Sequence, residues 1–176
     1  RGVDNPITVS IPGIPDNKVV ASASGLKKLS GSSYSVRPGQ GTELVIKASG
    51  ELPDGSLVDT SSRFRIKDVP APSGTVRGES GSLRMSRSEL ENTFVGARLE
   101  DFDFDLPIKV SGFKLKIPNQ PTIEVNGDRL DTRAKAAVRR ATRGDIIRIF
   151  DIKTAPANDT KYYLKPASQV IVEIVN

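Results

Sequence analysis

Two clusters of charged side chains have types and spacings that invite chemistry. The first is Glu100-Asp101-Phe102-Asp103-Phe104-Asp105. Clustered carboxylates suit a hard cation such as calcium, and two carboxyls converging across a groove suit glycoside hydrolysis. The run lacks the turn glycine and closing glutamate of a calcium-binding helix-loop-helix. A chain with no Trp and 3 Tyr also has few aromatic platforms for a sugar. Strand periodicity is the simpler account: Phe102, Phe104 and Leu106 face a core, and Asp101, Asp103 and Asp105 face water. The second cluster is cationic. Arg133, Lys135, Arg139, Arg140 and Arg143 accompany an apolar stripe of Leu130, Ala134, Ala137, Val138 and Ala141. Lys135, Arg139 and Arg143 point away from the stripe, and Arg133 and Arg140 flank it. Such a face is either solvated surface or a dock for an acidic partner, to which the guanidinium fork is well matched. These five residues are the candidate partner-binding site.

Other chemistry is narrowed by what the chain lacks. It has 0 His and 0 Cys, which excludes disulfides, Cys and His zinc ligands, thiolate nucleophiles and His-dependent triads. With no convergent polar set beyond the carboxylate run, the expectation is a protein that is not an enzyme, with no catalytic residue, cofactor or metal. The net charge is +5, but 26 basic residues are interspersed with 21 acidic ones and aromatics are only 5 %. That is not the footprint of a nucleic-acid binder. No apolar run approaches the ~20 residues that cross a bilayer. The chain opens at Arg1 with no initiator Met, so it reads as a fragment or mature product whose anchor or export signal lies upstream. Arg143-Gly144-Asp145 and the sequon Asn158-Asp159-Thr160 are short enough to arise by chance.

The elements that must position these residues are mostly strands. In residues 1–70, short period-two runs recur: Ile7, Val9, Ile11; Val19, Val20; Tyr34, Val36; Leu44, Ile46, Ala48; Phe64, Ile66. Turn residues at Pro12-Gly13, Gly25, Pro38-Gly39 and Pro53-Asp54-Gly55 separate them, a pattern that predicts an Ig-like β-sandwich. Val69-Pro70-Ala71-Pro72-Ser73-Gly74 predicts a linker. Residues 71–176 mix two periods and predict an α+β domain, two short helices on a mostly antiparallel sheet. Ser86 and Glu89 form a capping box, flanked by Met85 and Leu90, for a helix to about Phe94. Asp131 caps a second helix over 132–141, with Gly144 as its stop. Strands are expected at 97–105, 108–117, 122–125, 145–153, 161–164 and 169–175. The chain as a whole is thus expected to be mainly β.

Particular stretches go further. Arg1-Gly2-Val3-Asp4-Asn5-Pro6-Ile7 resembles the opening of the penultimate domain of PorM/GldM proteins, and Phe64-Arg65-Ile66-Lys67-Asp68-Val69-Pro70 its end. Leu99-Glu100-Asp101-Phe102-Asp103-Phe104-Asp105-Leu106 resembles a stretch of the last domain, followed in family order by the closing helix, Arg143-Gly144-Asp145 and Phe150-Asp151-Ile152-Lys153. The resemblance implies two distal domains of a homodimeric periplasmic shaft in the type IX secretion and gliding machinery. It implies an upstream membrane helix that works with a PorL/GldL-type partner in a proton-driven inner-membrane motor. It also implies contact with an outer-membrane-associated PorK/PorN-type ring, so that this segment transmits energy by protein–protein binding. A reading from a different class is an adhesin-like β-sandwich module that binds a carbohydrate or a surface protein.

Overall fold

The computed structural model describes residues 1–104, 106–157, 162 and 164–176. The chain is mainly β and divides into two compact units, Arg1–Asp68 and Val69–Asn176.

The first unit is an Ig-like β-sandwich of six strands among the described residues: β1 (Asn5–Thr8), β2 (Val20–Ser22), β3 (Leu26–Ser30), β4 (Ser33–Val36), β5 (Glu43–Glu51) and β6 (Leu57–Arg65). They form two three-stranded antiparallel sheets, ordered β1-β4-β3 and β2-β5-β6. Alternation decides which side chains go inside: in β5, Leu44, Ile46 and Ala48 are buried while Val45 and Lys47 are exposed. Val36 packs with Leu44 and Ile46 in one cluster, and Ile11, Ile14, Val19 and Ala48 form another. Buried Tyr34 spans the sheets; its hydroxyl accepts from Ala21 N at 3.3 Å and donates to Val19 O at 3.5 Å. Strand β3 has no counterpart in the periodicity. All but one of its residues are exposed, so it has no apolar alternation to read.

The second unit holds β7 (Ser73–Val76), β8 (Glu79–Ser80), β9 (Ser82–Met85), α1 (Arg87–Glu91), β10 (Val95–Arg98), β11 (Ile108–Lys116), β12 (Ile123–Asn126), α2 (Thr132–Arg139), β13 (Ile146–Pro156) and β14 (Val170–Ile174). A five-stranded sheet runs β12-β11-β13-β14-β9, antiparallel except for β9 with β14, and a three-stranded sheet runs β10-β7-β8. Phe113, Leu115, Ile147, Ile149, Val170, Val172 and Ile174 form the heart of the core with Leu90 of α1 and Ala134, Ala137 and Val138 of α2. The capping box forms as expected from sequence: Ser86 Oγ accepts from Glu89 N at 3.2 Å, and Glu89 Oε2 accepts from Ser86 N at 2.8 Å.

Several expectations need correction. The linker is shorter than the Pro/Gly pattern suggests, because Ser73 and Gly74 belong to β7. Gly74 is there for closeness: a Cβ at this position would lie 2.2 Å from Ser168 O, so it reads as a packing residue, not a hinge. The expected strand over 97–105 ends at Arg98, whose partner Ser73 is the first residue of β7, so the ladder has no further residue to pair with. Asp101 then takes φ +50, outside the strand region. Phe102 and Phe104 are half-buried and stack with ring centroids 5.2 Å apart. Their alternation with exposed Asp101 and Asp103 therefore reflects a bent segment and not a ladder. Asp105, residues 161 and 163 of the strand expected at 161–164, and the 158–160 sequon lie outside the described residues, and Tyr162 and Leu164 are not in a strand.

Each unit has its own core, so each is expected to fold alone. Residues 1–68 and 69–176 expressed separately should each give dispersed amide spectra by NMR. Collapse of either into broad, undispersed resonances would mean that the two cores are interdependent.

Candidate partner-binding surface

Helix α2 starts where Asp131 caps it, with Oδ1 accepting from Ala134 N at 2.7 Å. It ends earlier than its apolar stripe implies. Arg140 N and Ala141 N bond back to Ala137 O and Val138 O, a tightened last turn. Asp145 Oδ2 then captures Thr142 N at 2.8 Å, and a side chain competing for a backbone donor in this way diverts the chain from the helix. Gly144, at φ +89, serves the turn into β13 and does not cap the helix. Arg143 is accordingly not on the outward helix face but in this turn, where it is exposed.

The five cations separate into engaged and free groups. Arg139 Nε donates to Glu91 Oε2 at 2.9 Å, and that carboxylate side chain is only 12 % exposed. This pair ties α2 to α1. Arg133 Nη2 donates to Glu124 O of β12 at 2.8 Å, tying the other flank of the helix to the sheet. Arg140 Nη2 donates to Gln120 Oε1 at 3.2 Å, while Gln120 Nε2 donates to Ala137 O at 3.1 Å near the helix C-terminus. Arg87 reaches in from α1, its Nη1 donating to Ala141 O at 3.3 Å. These donors satisfy carbonyls that a helix end leaves open, and the cations favour its negative pole. The side chains of half-buried Lys135 and exposed Arg143 have no hydrogen bond or ion pair among the described residues. The structure thus brings Arg133, Arg139 and Arg140 onto internal partners and leaves Lys135 and Arg143 available.

A second charged arrangement was not anticipated from sequence. On β11, β12 and β13, Lys114 Nζ lies 2.8 Å from Asp151 Oδ2, and Lys153 Nζ lies 2.9 Å from Glu124 Oε1. Register shifts flank Gly112, so that Asp151 sits at a bulge with φ +49. The signal was present in the alternating charges at 114, 124, 151 and 153, but only the register reveals that they meet. The Lys153 hydrogen bond, followed by the charges of Lys153 and Lys114, holds the Glu124 carboxyl below the usual carboxylate range. The Lys114 hydrogen bond does the same for Asp151. Among the described residues, no group of three or more carboxylates is placed to hold a metal.

Residues 1–67 match the family model of the GldM third domain, and residues 70–175 match that of the GldM C-terminal domain. Among solved structures, the fibronectin(III)-like modules of Clostridium thermocellum CbhA are similar at 14 % identity over 99 % of this chain and 86 % of that one, with a TM-score of 0.30. A likeness at that score carries no argument. No curated protein matches the chain.

Two outcomes follow. Arg139→Glu should destabilise the second unit by on the order of 1–2 kcal/mol, because it leaves the nearly buried Glu91 carboxylate facing another carboxylate. Lys135→Glu should be close to neutral, and thermal unfolding of both variants distinguishes them. The second outcome concerns pH. The folded-state pKa values of Glu124 and Asp151 are depressed, so their contribution is present above the unfolded carboxylate pKa and is lost as pH falls through the folded values. Side-chain carboxyl titration by NMR should place both midpoints below those of ordinary carboxylates, and Lys153→Ala should move that of Glu124 upward.

Proposed function

The chain belongs to the GldM family, and on that premise we propose that it is the distal periplasmic segment of a PorM-type motor shaft, passing energy from an inner-membrane motor to an outer-membrane-associated ring by protein–protein binding. Its domains mark it as a component of the gliding motility and type IX secretion machinery. The C-terminal domain match is consistent with a periplasmic location. Among the described residues, no helix is long and apolar enough to cross a membrane. The anchoring helix, the PorL/GldL-type motor partner and the homodimeric state belong to the proposal, as does a role without catalysis.

The observation that carries this reading is the contiguous, in-order match to the third and C-terminal domains over nearly the whole chain. A strand-built pair of units suits transmission, because hydrogen-bonded backbone ladders resist extension. The ring-facing site is assigned to the second unit, to Lys135 of α2 and Arg143 of the turn that follows it. Rim charges of this kind act chiefly through association rate and are weakened by salt.

Affinity for a purified PorK/PorN-type complex tests the reading. The wild-type chain should bind, less well as ionic strength rises. Lys135→Glu/Arg143→Glu should weaken binding roughly tenfold with an unchanged circular dichroism spectrum. No binding by the wild-type chain would overturn the ring-contact role, and undiminished binding by the double variant would move the site off this surface.

A further inference from the structure

Strand β6 is the least covered strand among the described residues and one of the longest. It lies at the edge of its sheet, pairs with β5 over nine unbroken positions from Leu57↔Glu51 to Arg65↔Glu43, and is exposed everywhere except half-buried Val58. Proteins commonly blunt such edges with Pro, Lys, a bulge or a covering loop. β6 has no Pro, Lys or bulge.

The direction of its free backbone groups follows from the hydrogen bonds just beyond each end of the ladder. Ile66 N donates to Thr42 O at 2.8 Å and Leu52 N donates to Ser56 O at 2.9 Å. Both pairs continue the β5–β6 register. Because bonded and non-bonded pairs alternate in an antiparallel ladder, Val58, Thr60, Ser62 and Phe64 turn their N–H and C=O toward β5. Leu57, Asp59, Ser61, Arg63 and Arg65 turn theirs to the open edge. The side chains divide in the same way. Val58 and Phe64 lie opposite Gly50 and Leu44 on the inner face, while Asp59, Ser61 and Arg63 are on the outer face.

We propose that β6 is a homotypic pairing edge, binding β6 of a second copy of this chain antiparallel about a two-fold axis at Ser61. This rests on the homodimer reading above and gives it a surface. In that register the five outward-turned residues meet only outward-turned residues, so all nine positions align and about ten backbone hydrogen bonds form, two for each of five pairs. Asp59 falls opposite Arg63 of the second copy, twice over by symmetry. Asp59 has no ion-pair partner among the described residues, and Arg63 holds only an exposed contact to Glu43 at 3.2 Å. Val58 falls opposite Phe64 of the second copy, and Thr60 opposite Ser62. Moving the axis by one residue along the strand puts Asp59 opposite Ser61 or Arg65 and shortens the overlap. The inner face is affected as well: a cavity of about 180 Å³ between β1 and β6 is lined by Ile7, Ile46 and Phe64 together with the hydroxyl side chains of Thr8, Thr60 and Ser62. The second copy would bring its own Val58 and Phe64 beside that cavity.

Sedimentation velocity of the full chain from low to high micromolar concentration is the test. The wild type should dimerise. Arg63→Glu should raise the dimer dissociation constant roughly tenfold, since each dimer holds two such pairs, and Asp59→Arg combined with Arg63→Asp should restore it. Ser61→Pro removes an edge-facing N–H that β5 does not use, so it should give a folded monomer. Because the chain has 0 Cys, Ser61→Cys should form a disulfide-linked dimer under mild oxidation, whereas Ser24→Cys at an exposed turn should not. A wild type that stays monomeric overturns both this proposal and the homodimer reading. A wild-type dimer that is unaffected by Ser61→Pro and Arg63→Glu, and is not trapped through Ser61→Cys, overturns the β6 edge alone.

Discussion

Strand edges, more than apolar burial alone, organise both units. A strand carries a row of donors and acceptors on each side, and each must meet another strand, a capping group or water. In the second unit the requirement is met internally by β14, which enters between β13 and β9 and pairs with the first antiparallel and the second parallel. That insertion joins a strand from near residue 83 to the hairpins of residues 108–156. Val170, Val172 and Ile174 are fully buried as a result. Without it the five-stranded sheet would be two fragments, and α1, whose cap begins directly after β9, would lose its footing. The first unit has no equivalent device, and its longest edge is left facing water.

The distribution of charge follows the same division between internal fastening and open surface. A net charge of +5 suggests a pool of free cations, but on α2 most are already committed. Arg139 holds a nearly buried carboxylate of α1, Arg133 a strand carbonyl and Arg140 a glutamine that itself serves the helix end. Arginine suits this task because its planar fork and permanent charge can satisfy an oxygen at a packed boundary without full burial. Of these five cations, only Lys135 and Arg143 keep side chains without an internal partner among the described residues. The ion pairs across β11, β12 and β13 are fasteners of another kind, exposed and individually weak, but set where a bulge turns the ladder.

Which parts of this were legible in the sequence depends on how locally each is encoded. The capping box at Ser86 and Glu89, the cap at Asp131, the inward faces of β4 and β5 and the spans of β11 and β14 are encoded locally, and they could be read. β3 could not, because a strand exposed on both faces has no alternation. β7 to β9 were hidden by Pro, Gly and Ser, which punctuate a linker and also permit the close approach at Gly74. The cationic face was read from the apolar stripe as one helical surface. The stripe runs past the true helix end because Ala141 is buried whether or not the helix continues. What diverts the chain is Asp145 reaching back to Thr142, a contact that helical periodicity does not register. Which arginines are engaged depended on Glu91, Gln120 and Glu124, brought near only by the tertiary fold.

The contrast between the units gives the edge of β6 its significance. The second unit buries a continuous core of about twenty side chains, whereas the first splits its interior into small clusters and has fewer than seventy residues. Domains of that size bury a smaller fraction of their surface and are correspondingly marginal. Anything that binds only the folded form stabilises it by mass action. A second copy docked along β6 would satisfy backbone groups that water now satisfies and would cover part of the cavity between β1 and β6. Pairing of two chains would then add to the stability of a first unit that already folds alone. The second unit, with its larger continuous core, would depend less on such support and would keep its surface for a different partner. In the proposed role this division of labour is useful: pairing would reinforce the smaller unit, and the larger unit would need no reinforcement of that kind to engage a different partner.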